Sequence, residues 1–171
     1  APSCGMKPPS GGGATLVGIA VAEPHQTATV ASAEQILQIA KGADSTHVDD
    51  AMAVLSSLPR PLRVLVAEDN ATNQLVVRSA LAKFGIAPDV AGNGFEAIEA
   101  VKRAPYDVVL MDVHMPEMDG LQATRAIRAL PGAQGRVPII ALTANAFDSD
   151  VARCRDAGMN AHLGKPFRRE D

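Results

Sequence analysis

From residue 62 onward the chain repeats one pattern, a short apolar run, a polar break, then a stretch with apolar residues three and four apart. Runs at 62–67, 88–91, 107–111, 137–142 and 161–164 read as strands, and 71–84, 94–103, 121–130 and 148–157 as helices. Gly85 and Gly158 stand at helix stops, where a left-handed residue is needed. The first of these helices is expected to turn Leu75, Val76, Leu81 and Phe84 inward. Strict alternation of this kind implies right-handed crossovers and an α/β fold with a doubly wound, five-stranded parallel sheet.

The third run is the most informative. Val108, Val109, Leu110 and Met111 are continuously apolar, as in a strand buried on both faces of a parallel sheet, and the run stops on Asp112. A loop follows in which Pro116 biases Met115 toward an extended conformation, before Met118-Asp119-Gly120 supplies a turn and a helix start.

Residues 1–13 (APSCGMKPPSGGG) are rich in Pro, Gly and Ser and read as a disordered linker. Residues 14–60 read as a linker or the remnant of a preceding domain, with a strand at 15–22 and helices at 33–41 and 48–58. In the second helix Val48, Ala51, Met52, Leu55 and Leu58 fall on one face. The segment contains no catalytic motif. Residues 61–171 form the α/β domain.

A net charge of -3 without interleaved basic and aromatic residues argues against a nucleic-acid partner. The apolar stretch 14–22 is too short to cross a bilayer, so no direct membrane contact is expected, although a parent protein could be membrane-anchored. The two cysteines, Cys4 and Cys154, suggest no disulfide framework, and the expected setting is cytoplasmic and reducing.

In a doubly wound sheet, ligands bind beyond the carboxyl ends of the strands. Those ends carry Glu68 and Asp69, Asp112, Thr143 and Lys165. With the first and third strands adjacent at about 4.8 Å, three carboxylates share a small volume and call for a cation. Hard oxygen donors with room for water suit Mg2+, and no His/Cys cluster at zinc spacing competes. A strand-end Asp beside such a metal, with a hydroxyl and an ammonium nearby, is the equipment for forming an aspartyl phosphate. Asp112 is thus expected as nucleophile, Asp69 as direct metal ligand, Glu68 as ligand through water, and Thr143 and Lys165 as phosphoryl-binding groups. Taken singly, each has a structural reading: the acidic pair or Asn70 could cap the next helix, and Lys165 could be a solvated charge.

VLVAEDN at 64–70, DVVLMDVHMPEMDG at 107–120, PIIALTANA at 138–146 and LGKPF at 163–167 together resemble the receiver domain of two-component signalling proteins, and most closely the receivers of hybrid sensor histidine kinases. The resemblance implies a flavodoxin-like sheet of order 2-1-3-4-5. It implies transfer of a phosphoryl group from a phosphohistidine, on a histidine kinase domain or a histidine phosphotransfer protein, to Asp112. It further implies Mg2+ held by Asp69, Asp112 and the backbone carbonyl of His114, self-catalysed hydrolysis of the acyl phosphate, and a Lys165-Pro166 peptide that is often cis. Association with a second copy stays open. No phosphorylatable-His helix or Gly-rich nucleotide segment supports kinase activity in this chain, although a parent protein could be a kinase.

Two alternatives compete. One is a pseudo-receiver that binds partners without phosphorylation; three crowded carboxylates speak against it. The other is an Asp-nucleophile phosphatase of the dehalogenase type, which needs an Asp two residues after the nucleophile as acid and base. His114 stands there.

The sequence departs from the receiver pattern twice. It ends at Arg168-Arg169-Glu170-Asp171, where a fifth helix would begin, so most of that helix is expected to be lacking, with residues 48–58 or a partner covering the apolar surface it would leave. His162 occupies the position, three before Lys165, where receivers commonly carry a switching Tyr or Phe. An imidazole is polar and can take up a proton near neutral pH, so switching is expected to be weak or to depend on pH. NMR shift changes around His162 on beryllofluoride addition should therefore differ between pH 6 and pH 8; identical changes would refute this.

Overall fold

The computed structural model describes residues 60–144 and 148–165. The elements expected within 14–58, the linker at 1–13, Pro166 and the start of a fifth helix lie outside the described residues. Five strands, β1 (Val64–Ala67), β2 (Asp89–Ala91), β3 (Val108–Asp112), β4 (Ile139–Thr143) and β5 (Ala161–Gly164), alternate with α1 (Ala71–Ala82), α2 (Gly94–Arg103), α3 (Gly120–Arg128) and α4 (Asp148–Ala157). All neighbours pair in parallel, and the order is β2-β1-β3-β4-β5. This is the doubly wound, flavodoxin-like arrangement expected from the sequence. Strand positions agree within one or two residues.

Local chemistry starts and stops each helix. The Asn70 side chain accepts from the N–H groups of Thr72 and Asn73 at the head of α1, and Asn93 accepts from Glu96 N at the head of α2. Asp119 and Gln122 form a reciprocal capping box on α3. Gly85 and Gly158 follow α1 and α4 with φ of 70° and 100°, the left-handed conformation that glycine adopts without a Cβ penalty.

The pleat divides the strand residues between two cores. Leu65, Val109, Met111 and Ile139 face α2, α3 and α4, meeting Ile98, Leu121 and Ile127. Val64, Val66, Leu110, Ile140 and Leu142 face α1, meeting Val77 and Leu81. Every residue of β1, β3 and β4 is buried, which is why these strands read as continuous apolar runs rather than as alternations.

One expectation needs correction. Leu75 and Val76 are 64% and 40% exposed rather than inward. The helix phase is set by Val77 and Leu81, four residues apart and both buried, with Phe84 partly buried behind them. Leu75 and Val76 lie two and one residues before Val77, and at about 100° per residue both rotate off that line. Among the described residues no helix is long and apolar enough to cross a membrane.

Arg128 ties the amino-terminal end of the sheet together. Its guanidinium donates to the carbonyls of Gly158, Gly135 and Val137 and to Asn160 Oδ1, at 2.7–3.0 Å. Asn160 Oδ1 also accepts from Ile139 N, so the network reaches the first residue of β4. Burial pushes the guanidinium below its ordinary pKa, so those acceptors must replace lost hydration. Arg128→Met removes four donors and leaves the carbonyls unpaired; urea unfolding should show a loss of at least about 2 kcal/mol. A change within about 0.5 kcal/mol would mean that water replaces the guanidinium at no cost.

Candidate functional site

Parallel strands end at one edge, so the residue that follows or closes each of β1, β3, β4 and β5 arrives at the same place. Glu68 and Asp69 follow β1, Asp112 closes β3, Thr143 closes β4, and Lys165 follows β5. The structure therefore brings together all five of the residues expected there. Glu68, Asp112 and Thr143 are buried, Lys165 is half-buried and Asp69 is exposed.

Among the described residues the cluster is acidic, with a single ammonium inside it. Carboxylate oxygens of Glu68, Asp69 and Asp112 lie within 4.8 Å of one another. Lys165 Nζ donates to Glu68 Oε2 at 2.5 Å and to Asp112 Oδ2 at 2.9 Å. Lys165 is also fixed by its backbone, since its N–H donates to the Thr143 carbonyl at 2.6 Å. The other oxygen of Asp112 accepts from His114 N at 3.2 Å.

Side chains on α1 complete the setting of Glu68. Asn73 Nδ2 donates to Glu68 Oε1 at 3.0 Å, and Gln74 Nε2 donates to the Glu68 carbonyl at 2.7 Å. Asn73 and Gln74 were not singled out from the sequence. Helix side chains lean toward the amino end, which allows these amides to reach back to the strand end but does not single them out from other polar residues. Asn70 caps α1, the structural role left open for this region, while Glu68 and Asp69 remain free for the cluster.

The loop after Asp112 is tightly shaped. Met118 N donates to the Pro116 carbonyl at 2.8 Å, and Glu117 between them has φ 67°, the strained positive-φ γ-turn. Gly120 packs on Asp112 so closely that a Cβ would lie 2.0 Å from the Asp112 carbonyl oxygen. His114 is exposed at the start of this loop, and His162 is half-buried on β5, paired with Ala141.

Burial pushes the Asp112 carboxyl above its ordinary value; Lys165 and the His114 N–H pull it back, and Glu68 adds repulsion. Burial alone would lower Lys165, but its hydrogen bonds to Glu68 and Asp112 outweigh it and raise the ammonium. The donor set suits a small hard cation. Three oxygens within 4.8 Å of one another approach the spacing of an octahedral shell built on bonds of about 2.1 Å.

The family model for the response regulator receiver domain matches residues 64–171. The chain belongs to this family. Relatives include a probable histidine kinase of Oryza sativa subsp. indica, 40% identical over 134 residues, and the sensor protein GacS of Pseudomonas syringae pv. syringae, 42% identical over 110 residues. These alignments cover 61% and 63% of this chain but only 14% and 12% of the relatives. Among solved structures, a receiver domain of a sensor histidine kinase from Pseudomonas aeruginosa, with a magnesium ion coordinated in its active site cleft, is 44% identical. It covers 63% of this chain and 87% of its own, with a TM-score of 0.58. A Saccharomyces cerevisiae receiver domain, solved with a histidine phosphotransfer protein, is 32% identical with a TM-score of 0.56, covering 61% of this chain and 79% of its own.

A carboxyl whose folded pKa is raised contributes stability that is present below its unfolded value, about 3.9, and is lost as pH rises through the folded value. Ionised Asp112 thus opposes folding at neutral pH when no metal is present. Asp112→Asn should be the more thermostable receiver in metal-free buffer at pH 7, by ~4–8 °C for each 1 kcal/mol relieved. The advantage should shrink as pH falls toward about 4. An unchanged or lower melting temperature at pH 7 would show that Lys165 fully compensates the crowding.

Proposed function

We propose that this receiver accepts a phosphoryl group from a phosphohistidine onto Asp112, as a step of a phosphorelay. The observation that carries the reading is the contact of Lys165 Nζ with both Asp112 and Glu68, inside a carboxylate cluster at the carboxyl edge of the sheet. A structural module gains nothing from burying repelling carboxylates together, whereas a phosphoryl-transfer site needs cationic and metal compensation where charge accumulates.

An Asp112 carboxylate oxygen attacks phosphorus in line with the departing imidazole nitrogen. The new O–P bond forms as the P–N bond breaks, and the electron pair stays on the donor's imidazole. Lys165, already 2.9 Å from Asp112, holds the nucleophile ionised and then binds a phosphoryl oxygen. Thr143, buried at the end of β4, supplies a hydroxyl to a second oxygen. Asn73 keeps Glu68 oriented throughout. Asp69, Asp112 and the His114 carbonyl would hold Mg2+ directly and Glu68 would hold it through water, and the ion would supply neutralisation of charge on the phosphoryl group. Water later cleaves the acyl phosphate and restores the carboxylate.

The chemistry of this chain is limited to accepting and losing the phosphoryl group. The likeness to histidine kinases supports a parent that is a hybrid sensor histidine kinase. The donor is then a histidine kinase domain or a histidine phosphotransfer protein, the latter supported by the yeast complex. Labelling with acetyl phosphate, followed by intact mass, should add one phosphoryl group in Mg2+ and none in EDTA. Asp112→Asn should remain unlabelled, and Lys165→Ala should label about 10²-fold more slowly. An unmodified parent chain would leave a phosphorylation-independent interaction module as the better reading. Equal labelling of parent and Asp112→Asn would move the nucleophile elsewhere.

A further inference from the structure

The backbone of Glu68 is fixed on both sides before its carboxylate meets the site. Its N–H donates to the Ala91 carbonyl at 3.0 Å, and its own carbonyl accepts from Gln74 Nε2 at 2.7 Å. The side chain is wholly buried, so both carboxylate oxygens need donors in the interior. Oε1 accepts from Asn73 Nδ2 at 3.0 Å and, less closely, from Asn70 N at 3.3 Å. Oε2 accepts from Lys165 Nζ.

Lys165 divides one ammonium between two carboxylates, at 2.5 Å from Glu68 and 2.9 Å from Asp112. Its N–H is anchored to the Thr143 carbonyl, but a flexible four-carbon stem separates that anchor from the charge. The carboxylates therefore decide where the ammonium rests. Glu68 is the nearer of the two, and its second oxygen could take the ammonium as well if nothing else held it.

Asn73 stands against that outcome. Its amide occupies Oε1 and fixes the rotation of the carboxylate, so that one oxygen alone faces Lys165. Asn73 is half-buried in the first turn of α1, and its own N–H is bonded to the capping Asn70 Oδ1 at 3.3 Å. The helix thus delivers the amide from a fixed place. Without it, Oε1 would keep only the bond from Asn70 N, and a buried carboxylate short of a donor turns toward the nearest cation. That cation is Lys165, and the turn would draw it off Asp112.

We propose that Asn73 is a positioning residue for Lys165: by restricting Glu68 to a single contact with the ammonium, it keeps the other contact for Asp112. Its hydrogen bond is to Glu68, and it acts through that carboxylate. For its effect on rate this role rests on the phosphoryl-transfer reading of the site; for the place of the ammonium it does not.

Asn73→Leu removes the amide at nearly the same size, and Asn73→Asp keeps the shape but puts an acceptor oxygen where the donor stood. Both are compared with the parent chain once circular dichroism shows that the fold is kept. In EDTA, the NMR signal of the Lys165 side-chain ammonium should move in each variant. In saturating Mg2+, acetyl phosphate should label each about 10-fold more slowly than the parent. In a Lys165→Ala background no ammonium remains to be misplaced, so adding Asn73→Leu should slow labelling by less than about 2-fold. An unmoved ammonium signal or a parent-like labelling rate would overturn the proposal. So would slowing that persists in full without Lys165, because Asn73 would then act by another route. A parent chain that takes no label would instead refute the phosphoryl-transfer reading, and the ammonium signal in EDTA would still decide whether Asn73 places Lys165.

Discussion

The contact of Lys165 with Glu68 and Asp112 is the interaction on which the site depends. Three carboxylates within 4.8 Å would repel strongly in a half-buried setting. One ammonium, tied by its own backbone to Thr143, compensates two of them at 2.5 and 2.9 Å. The compensation is incomplete, since Asp112 remains above its ordinary pKa. On the proposed function, a divalent cation and then a phosphoryl group would each alter this same short-range charge.

Parallel register is what converts scattered polar residues into that site. Glu68, Asp112, Thr143 and Lys165 span nearly a hundred residues of sequence, but each stands at the carboxyl end of a strand, and all strands point the same way. The opposite edge has a structural task instead. There Asp107 receives Arg60 and Arg63, and Arg128 joins the α3 end, the loop before β4 and the turn after α4. Chemistry gathers at one end of the sheet and fastening at the other.

How much of this could be read from the chain follows from the range of each interaction. Strand runs such as VVLM at 108–111 were legible because residues buried on both faces need no partner to announce themselves. Helix starts at Asn70 and Asp119 were legible in the same way, from bonds that close within three residues. The phase of α1 was not, because Leu75, Val76 and Val77 are three adjacent apolar residues and only the sheet beneath selects Val77. The Asn73 contact to Glu68 and the four bonds of Arg128 were missed for a related reason. A polar side chain in a helix looks solvated until its distant acceptor is known.

By itself the sequence determined the α/β alternation, the strand ends and the set of groups that could carry phosphoryl chemistry, since these rest on local periodicity and on residue type. Only the tertiary structure decided that Lys165 bridges Glu68 and Asp112, that Asp69 stays exposed while Glu68 is wholly buried, and that α1 turns Leu75 and Val76 outward. Those outcomes depend on which strands are neighbours and on what each helix meets. Such facts arise from contacts between residues far apart in the chain, and they exist only once the sheet has closed around them.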